Sequence, residues 1–188
     1  METPHQTIVI EFIESTEMPL LSTRSNTLNN KKNVHIWSAG GVIVRTHRDV
    51  YEVLLCHRKL GALWALPKGT PKRHESPVYT AIREAREETG INVKVIQKLC
   101  TTNYTFSRLI CGQQRNKIVK NIRTIIYKKT VYWFLMRDNG GNIENHDDEF
   151  DKVNWISYFE AKNLLTHKNE SKVLEKAFSI YVGNSPKY

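Results

Sequence analysis

Three carboxylates crowd one stretch of the chain. In REAREETG, residues 83–90, Glu84, Glu87 and Glu88 stand at i, i+3 and i+4. On a helix such like-charged neighbours repel, by about 0.2–0.5 kcal/mol per pair. Two chemistries account for the pattern. The acids are a solvated patch, or they are oxygen ligands for a hard divalent cation such as magnesium, which keeps several waters and is commonly shared with substrate phosphates. Two such ions can clamp a diphosphate and lower the pKa of a bridging water. They would also relieve the repulsion. Arg83 lies four residues before Glu87, within side-chain reach of it. That pairing, a glycine-containing loop upstream and a basic tract downstream favour the metal site.

The elements that must position these acids are legible around them. Ser76 is a favourable N-cap, Pro77 suits the first helical position and Gly90 suits the stop, so a helix is expected between them. Val78, Ala81, Ile82 and Ala85 recur at i, i+3, i+4 and i+7 and predict the buried stripe, with the three glutamates on the opposite, exposed side. Residues 61–75, GALWALPKGTPKRHE, read as a loop punctuated by Gly61, Pro67, Gly69 and Pro71. Strands are expected at 36–45, 51–58, 92–107, 128–137 and 150–157, with the polar turn THRD between the first two. Gly40 and Gly41 inside the first strand predict a bulge or a close backbone approach. Residues 108–127 read as a long hairpin or an inserted loop. Ser157 and Glu160 have capping-box spacing. Leu174, Ala177, Phe178 and Tyr181 then mark the stripe of a last helix that stops at Gly183. Trp64, Trp133 and Trp155 are expected to be packing residues. The sum is a mixed sheet with helices packed against it.

Composition bounds the rest. The chain has 188 residues, 40% apolar and 25% charged, which suits one globular domain rather than a disordered chain. No apolar run approaches a membrane span, and the acidic N-terminus makes a poor signal peptide. Cys56, Cys100 and Cys111 are few and far apart, as expected of reduced thiols in a cytoplasmic protein. The net charge of +9 is unevenly placed. No Asp or Glu occurs from Thr89 to Arg137, a stretch that holds Lys94, Lys98, Arg108, Arg115, Lys117, Lys120, Arg123, Lys128, Lys129 and Arg137. An anionic partner or substrate would explain this tract, and so would a solvated basic loop.

Residues 69–91, GTPKRHESPVYTAIREAREETGI, place Gly69, Glu75, Arg83, Glu84, Ala85, Glu87, Glu88, Gly90 and Ile91 in the spacing of a known signature. The segment resembles the Nudix hydrolase superfamily at each of these positions. The flanking SAGGVIV, WALPKG, KTVYWFLM and EFDKVNW extend the likeness, most of all to dinucleoside-polyphosphate and nucleotide pyrophosphohydrolases. The resemblance implies an α+β fold, a Nudix-type α/β/α sandwich with a mixed sheet and a loop–helix–loop catalytic motif. It covers roughly residues 35–182, within a hydrolase domain expected at 35–188, and leaves 1–34 as an N-terminal arm, flexible in part.

The resemblance also implies roles. Glu84, Glu87, Glu88 and the backbone carbonyl of Lys68 would be ligands for Mg2+, with Mn2+ as a possible substitute. Glu84 would orient or deprotonate the attacking water, Arg83 would hold that carboxylate, and Glu75 and Gly69 would support the site. An acid from outside the motif commonly joins it. Glu149 is the choice, with Asp147 and Asp148 beside it. Relatives usually carry an acid and a glycine where Lys72 and His74 stand, so the turn before Glu75 is expected to be reshaped. Lys68, Lys129 and Arg58 are candidate phosphate contacts. Tyr104 and Phe106 share one face of a strand and could stack on a base or serve as core or lid residues. The reaction implied is hydrolysis of a pyrophosphate bond in a nucleoside-diphosphate-linked substrate, first a dinucleoside polyphosphate. The alternatives are an RNA 5′ end, gripped by the basic segment 108–129, or a modified nucleoside triphosphate.

Overall fold

The computed structural model describes residues 32–114 and 117–183, with side chains for all of these except 109–123. The expected arm, but for its last residues, and the side chain of Cys111 lie outside that set. The elements are β1 (Lys32–His47), β2 (Val50–Arg58), β3 (Leu63–Ala65), β4 (Lys68–Gly69), α1 (Pro77–Thr89), β5 (Ile91–Gln114), β6 (Lys117–Gly141), β7 (Lys152–Ser157), α2 (Tyr158–Leu164) and α3 (Lys168–Gly183). A short 3-10 turn at Ile143–Asn145 follows β6. The chain forms two compact units. The larger comprises Ile36–Asn103 and Thr130–Tyr188, and the smaller Met1–His35 and Tyr104–Lys129.

The described strands form one seven-stranded sheet of order β3-β2-β1-β6-β5, with β4 paired to β1 and β7 to β2. It is a mixed sheet within an α+β sandwich. Strand residues alternate between its two faces, as the period of two requires. Val42 and Val44 of β1, Val53 and Leu55 of β2 and Val131, Trp133 and Leu135 of β6 join one apolar cluster, which α2 and α3 cover with Ala161, Val173, Leu174 and Ala177. The residues between them, Ile43, Leu54, Cys56, Phe134 and Met136, join a second cluster, covered by Ala81 and Ala85 of α1. Burying each large apolar side chain contributes about 1.5–3 kcal/mol, so both helical layers are fastened by the same strands. Trp133 is buried and its indole N–H donates to Thr102 Oγ1 at 2.9 Å. Trp64 and Trp155 pack against the first and second cluster respectively. Among the described residues no helix is long and apolar enough to cross a membrane.

Three local expectations are refined. The 61–75 loop contains two short strands, because β3 finds a partner in β2 and β4 finds one in β1. The segment 108–127 is the hairpin alternative, with β5 running to Gln114 and β6 starting at Lys117. Gly40 and Gly41 serve a close approach: Gly41 N–H donates to the Pro67 carbonyl at 3.1 Å, and a Cβ on Gly40 would overlap that carbonyl and Lys68.

Candidate active site

Helix α1 begins and ends as its sequence dictates. Ser76 Oγ accepts from Tyr79 N–H, Pro77 occupies the first turn, and Gly90 closes the helix in the left-handed conformation, φ 71°, with its N–H donating to the Arg86 carbonyl. The face it buries differs from the expected one. Thr80, Ala81, Glu84, Ala85, Glu88 and Thr89 are the buried residues, whereas Val78 and Ile82 are only half-buried. Glu84 is 8% exposed and Glu88 1%. The expectation that all three glutamates lie on an exposed face is therefore wrong for two of them. At 100° per residue Glu88 projects close to the direction of Ala81. The small alanines let the helix come close to the sheet, and the neighbouring acids are carried inward with them.

A loop strand meets those acids. Ala39 and Gly40 of β1 pair with Gly69 and Lys68 of β4, which fixes β4 beside α1. Glu88 Oε2 accepts from Lys68 N–H at 2.8 Å. A Cβ at Gly69 would overlap the Glu84 carboxylate, so glycine there makes room for that acid. Arg83 is the hub on the more open side. Its Nε and Nη2 donate to the two Glu75 oxygens at 2.7 and 2.9 Å, and Nη2 also reaches the Thr70 carbonyl at 2.9 Å. Its Nη1 lies 2.8 Å from Glu84 Oε1 and 2.6 Å from Glu87 Oε2. Glu75 further accepts from Lys72 N–H at 2.9 Å and Thr80 Oγ1 at 3.0 Å. In the turn before Glu75, His74 holds φ 66°, a left-handed conformation in which glycine would be unstrained. The exposed side chain of Lys72 turns to Glu87 Oε1, 2.8 Å away.

These contacts separate the acids electrostatically. Arg83 hydrogen bonds hold the Glu75 carboxyl down at about 2. The Lys72 hydrogen bond holds Glu87 below the ordinary carboxylate value. Burial pushes Glu84 up. Burial pushes Glu88 up to about 9, with the charges of Glu149 and Glu84 adding to the effect. One motif thus holds two stabilised carboxylates and two whose charge is opposed by their surroundings.

The other expected residues fall as follows. Glu149 is exposed on the loop before β7. Arg58 Nη2 pairs with its Oε1 at 2.8 Å, and Arg58 Nε donates to its backbone carbonyl at 3.1 Å. Arg58 is thus engaged with Glu149 rather than standing alone as a phosphate contact. Asp147 is tied to the motif through its backbone, its N–H donating to the Glu87 carbonyl at 2.9 Å. Asp147 Oδ1 accepts from Glu149 N–H at 3.0 Å, and Asp148 is exposed. Tyr104, Phe106 and Lys129 belong to the smaller unit. Two features escaped the sequence reading. Glu170 of α3 is buried, accepts from Leu66 N–H at 2.8 Å and lies 3.0 Å from Lys68 Nζ. Thr80 supports Glu75. Neither belongs to a local spacing pattern, and the only signal for Glu170 was an acid at the edge of an apolar helical stripe.

Among the described residues no group of three or more His, Cys, Asp or Glu side chains converges tightly enough to hold a metal. The donor chemistry nonetheless fits one. Glu84, Glu87 and Glu88 offer only oxygen, as magnesium requires. The glycine at 69 leaves room for the Glu84 carboxylate beside the backbone, and a divalent cation there would offset the burial that opposes the charge on Glu88.

Comparison with known proteins identifies the family. A NUDIX domain family model matches residues 34–177. A Mycobacterium tuberculosis protein with the mutator designation MutT4 is 31% identical over 87% of this chain and 65% of its own length. An 8-oxo-(d)GTP phosphatase of Mycolicibacterium smegmatis is 27% identical over 85% of this chain and 45% of its own length. The chain thus spans less than two thirds of these relatives. An RNA pyrophosphohydrolase of Blochmanniella pennsylvanica is 26% identical over 77% of this chain and 94% of its own. Among solved structures, a Caenorhabditis elegans Ap4A hydrolase has a TM-score of 0.56 at 22% identity, covering 79% of this chain and 98% of that one. At that identity the likeness speaks for the fold. With the signature, the helix that carries it and the family match on one stretch of chain, this protein belongs to the Nudix hydrolase superfamily.

Proposed function

We propose that the chain is a divalent-metal-dependent pyrophosphohydrolase acting on a nucleoside-diphosphate-linked substrate, with residues 35–188 as the hydrolase domain. The observation that carries this reading is the buried Glu88, held by Lys68 N–H and set one helical turn from Glu84. A carboxylate costly to ionise there is retained at a stability disadvantage, which a cation ligand would explain. Glu84, Glu87, Glu88 and the Lys68 carbonyl are the proposed holders of Mg2+ or Mn2+. When bound, such ions neutralise phosphate charge and acidify a water. The protein's own part is positional. Arg83, fixed by Glu75, holds Glu84 and Glu87 in register. Glu84 orients the attacking water and takes its proton, and Glu149, steadied by Arg58, is the second candidate for that proton. Lys68, steadied by Glu170, is the phosphate contact nearest the motif. The protein would work in the cytoplasm, where the free thiols of Cys56 and Cys100 stay reduced.

Dinucleoside polyphosphates remain the first substrate to test, with RNA 5′ ends and modified nucleoside triphosphates as alternatives. The mycobacterial and RNA pyrophosphohydrolase relatives support keeping both alternatives. The deciding experiment is a panel with magnesium: dinucleoside polyphosphates, nucleoside triphosphates including 8-oxo forms, ADP-ribose, diphosphoinositols and triphosphorylated RNA. One of them should be cleaved far faster by the wild type than by Glu88→Gln. Equal, slow product release from every compound by both proteins would end the enzyme reading.

A further inference from the structure

The smaller unit carries an aromatic and basic arrangement on β5 and β6, outside residues 69–91. Tyr104, Phe106 and Arg108 alternate along β5, and Tyr127 and Lys129 alternate along β6, so each set shares a face of its strand. The contacts show that the two sets share the same face of the hairpin. Phe106 and Tyr127 stack at 5.1 Å between ring centroids with 13° between planes. Tyr104 lies 6.0 Å from Phe106 at 32°. The Arg108 guanidinium sits 5.5 and 5.6 Å from the Phe106 and Tyr127 rings, and Lys129 Nζ lies 6.0 Å from the Tyr104 ring. Three aromatic rings thus form a row with a cation at each end. Tyr104 is 40% exposed, and Arg108 is exposed as well.

Charge narrows what such a face would bind. Residues 104–129 include Arg108, Arg115, Lys117, Lys120, Arg123, Lys128 and Lys129, and no acid. Cross-strand aromatic pairs by themselves steady a hairpin, but that role does not call for Arg108 and Lys129 beside the rings, or for an acid-free sequence in which like charges repel. A partner with regularly spaced negative charge would relieve the repulsion, and one that also carries flat faces would use the rings. A single-stranded polynucleotide has both: phosphates for Lys and Arg, and unpaired bases that stack on aromatic side chains with little regard to sequence. A duplex hides its base faces, and an acidic peptide has none.

We propose that this hairpin face is a docking surface for a single-stranded polynucleotide. The proposal stands apart from the hydrolytic reading, because it concerns binding alone. It is tested with the full chain in EDTA, by fluorescence anisotropy with a labelled oligouridylate that ends in a 5′-hydroxyl and offers no anhydride to cut. Wild-type protein should bind the oligomer, more weakly as salt rises. Arg108→Gln with Lys129→Gln should lower the magnitude of the salt slope by about 1.4, or about 0.7 per phosphate contact. Phe106→Leu with Tyr127→Leu keeps apolar bulk in the strands but removes the stacking faces. It should weaken oligomer binding about tenfold or more and leave heparin binding unchanged, and Tyr127→Phe should bind like the wild type. Circular dichroism on the same samples checks that the leucine variant is folded. Should that variant be misfolded, the glutamine pair and the duplex comparison still decide. Three results would overturn the proposal: no binding at low salt, equal affinity for oligomer, duplex and heparin, or competition by polyglutamate as effective as by unlabelled oligomer.

Discussion

Glu88 is the residue at which stability and function most visibly oppose each other. It is 1% exposed, accepts one backbone hydrogen bond and has a pKa pushed up to about 9. In Glu88→Gln the amide oxygen can still accept from Lys68 N–H, and the side chain is neutral without having to take up a proton on folding. Without metal at pH 8 the variant should unfold at the same urea concentration as the wild type or a higher one. Its hydrolysis should fall by roughly 10²-fold or more, since a cation ligand supplies several kcal/mol of charge stabilisation. A residue kept for packing would show the reverse. Arg83 makes a complementary case. One guanidinium serves Glu75, Glu84, Glu87 and the Thr70 carbonyl, a task the single ammonium of lysine cannot reproduce. Arg83→Lys should therefore raise the magnesium concentration needed for half-maximal activity by about 10–100-fold, as loss of a ligand's supporting partner does.

At the scale of elements, the site is a joint between α1, β4 and α3. Helix α1 supplies the acids, β4 passes over them, and α3 reaches to Leu66 and Lys68 through Glu170. Removing Glu170 takes its acceptor from the buried Leu66 N–H and one carboxylate from the half-buried Lys68 ammonium. Glu170→Ala should cost about 3 kcal/mol of stability by urea titration, and Glu170→Gln, which keeps an acceptor for Leu66, should cost less. At Gly69 the geometry is tighter. A Cβ there would drive into the Glu84 carboxylate, and misplacing a reacting group by an ångström can cost roughly 10²-fold in rate. Gly69→Ala should show that loss in kcat while Tm moves little, because the carboxylate can swing toward the open side where the backbone cannot.

For the whole molecule, the opposed pKa shifts give a pH signature. Burial pushes the Glu88 carboxyl up to about 9 in the folded chain, against an ordinary value of 4.5 in the unfolded chain. Without metal, the contribution of Glu88 to stability is full below pH 4.5 and is lost as pH rises toward 9. Glu75 acts in the opposite sense: its contribution is present above 4.5 and is lost as pH falls toward 2. A cation must displace the Glu88 proton. The rise in Tm on adding magnesium should therefore be larger at pH 9 than at pH 6, by differential scanning calorimetry. A rise that is flat or shrinks with pH would remove Glu88 from the ligand set.

Local spacing in the sequence determined the signature, the caps of α1, the stop at Gly90 and the alternating strands. Each depends on residues a few positions apart, where backbone geometry alone dictates the outcome. Spacing also showed that Arg83 could reach Glu87. The orientation of the acids was beyond it, because the face a helix buries depends on what lies opposite. Ala81 and Ala85 are too small to hold Glu84 and Glu88 away from the sheet. The partners of Lys68 and of Glu149 were likewise hidden. Glu170 and Arg58 come from positions roughly 90–100 residues distant, and only the folded chain brings them there. The sequence by itself thus determined the family and the chemical type of the site. The tertiary structure decided which carboxylates are buried, which are paired with Arg and Lys side chains and which have their charge opposed by burial, because burial and charge pairing depend on neighbours through space.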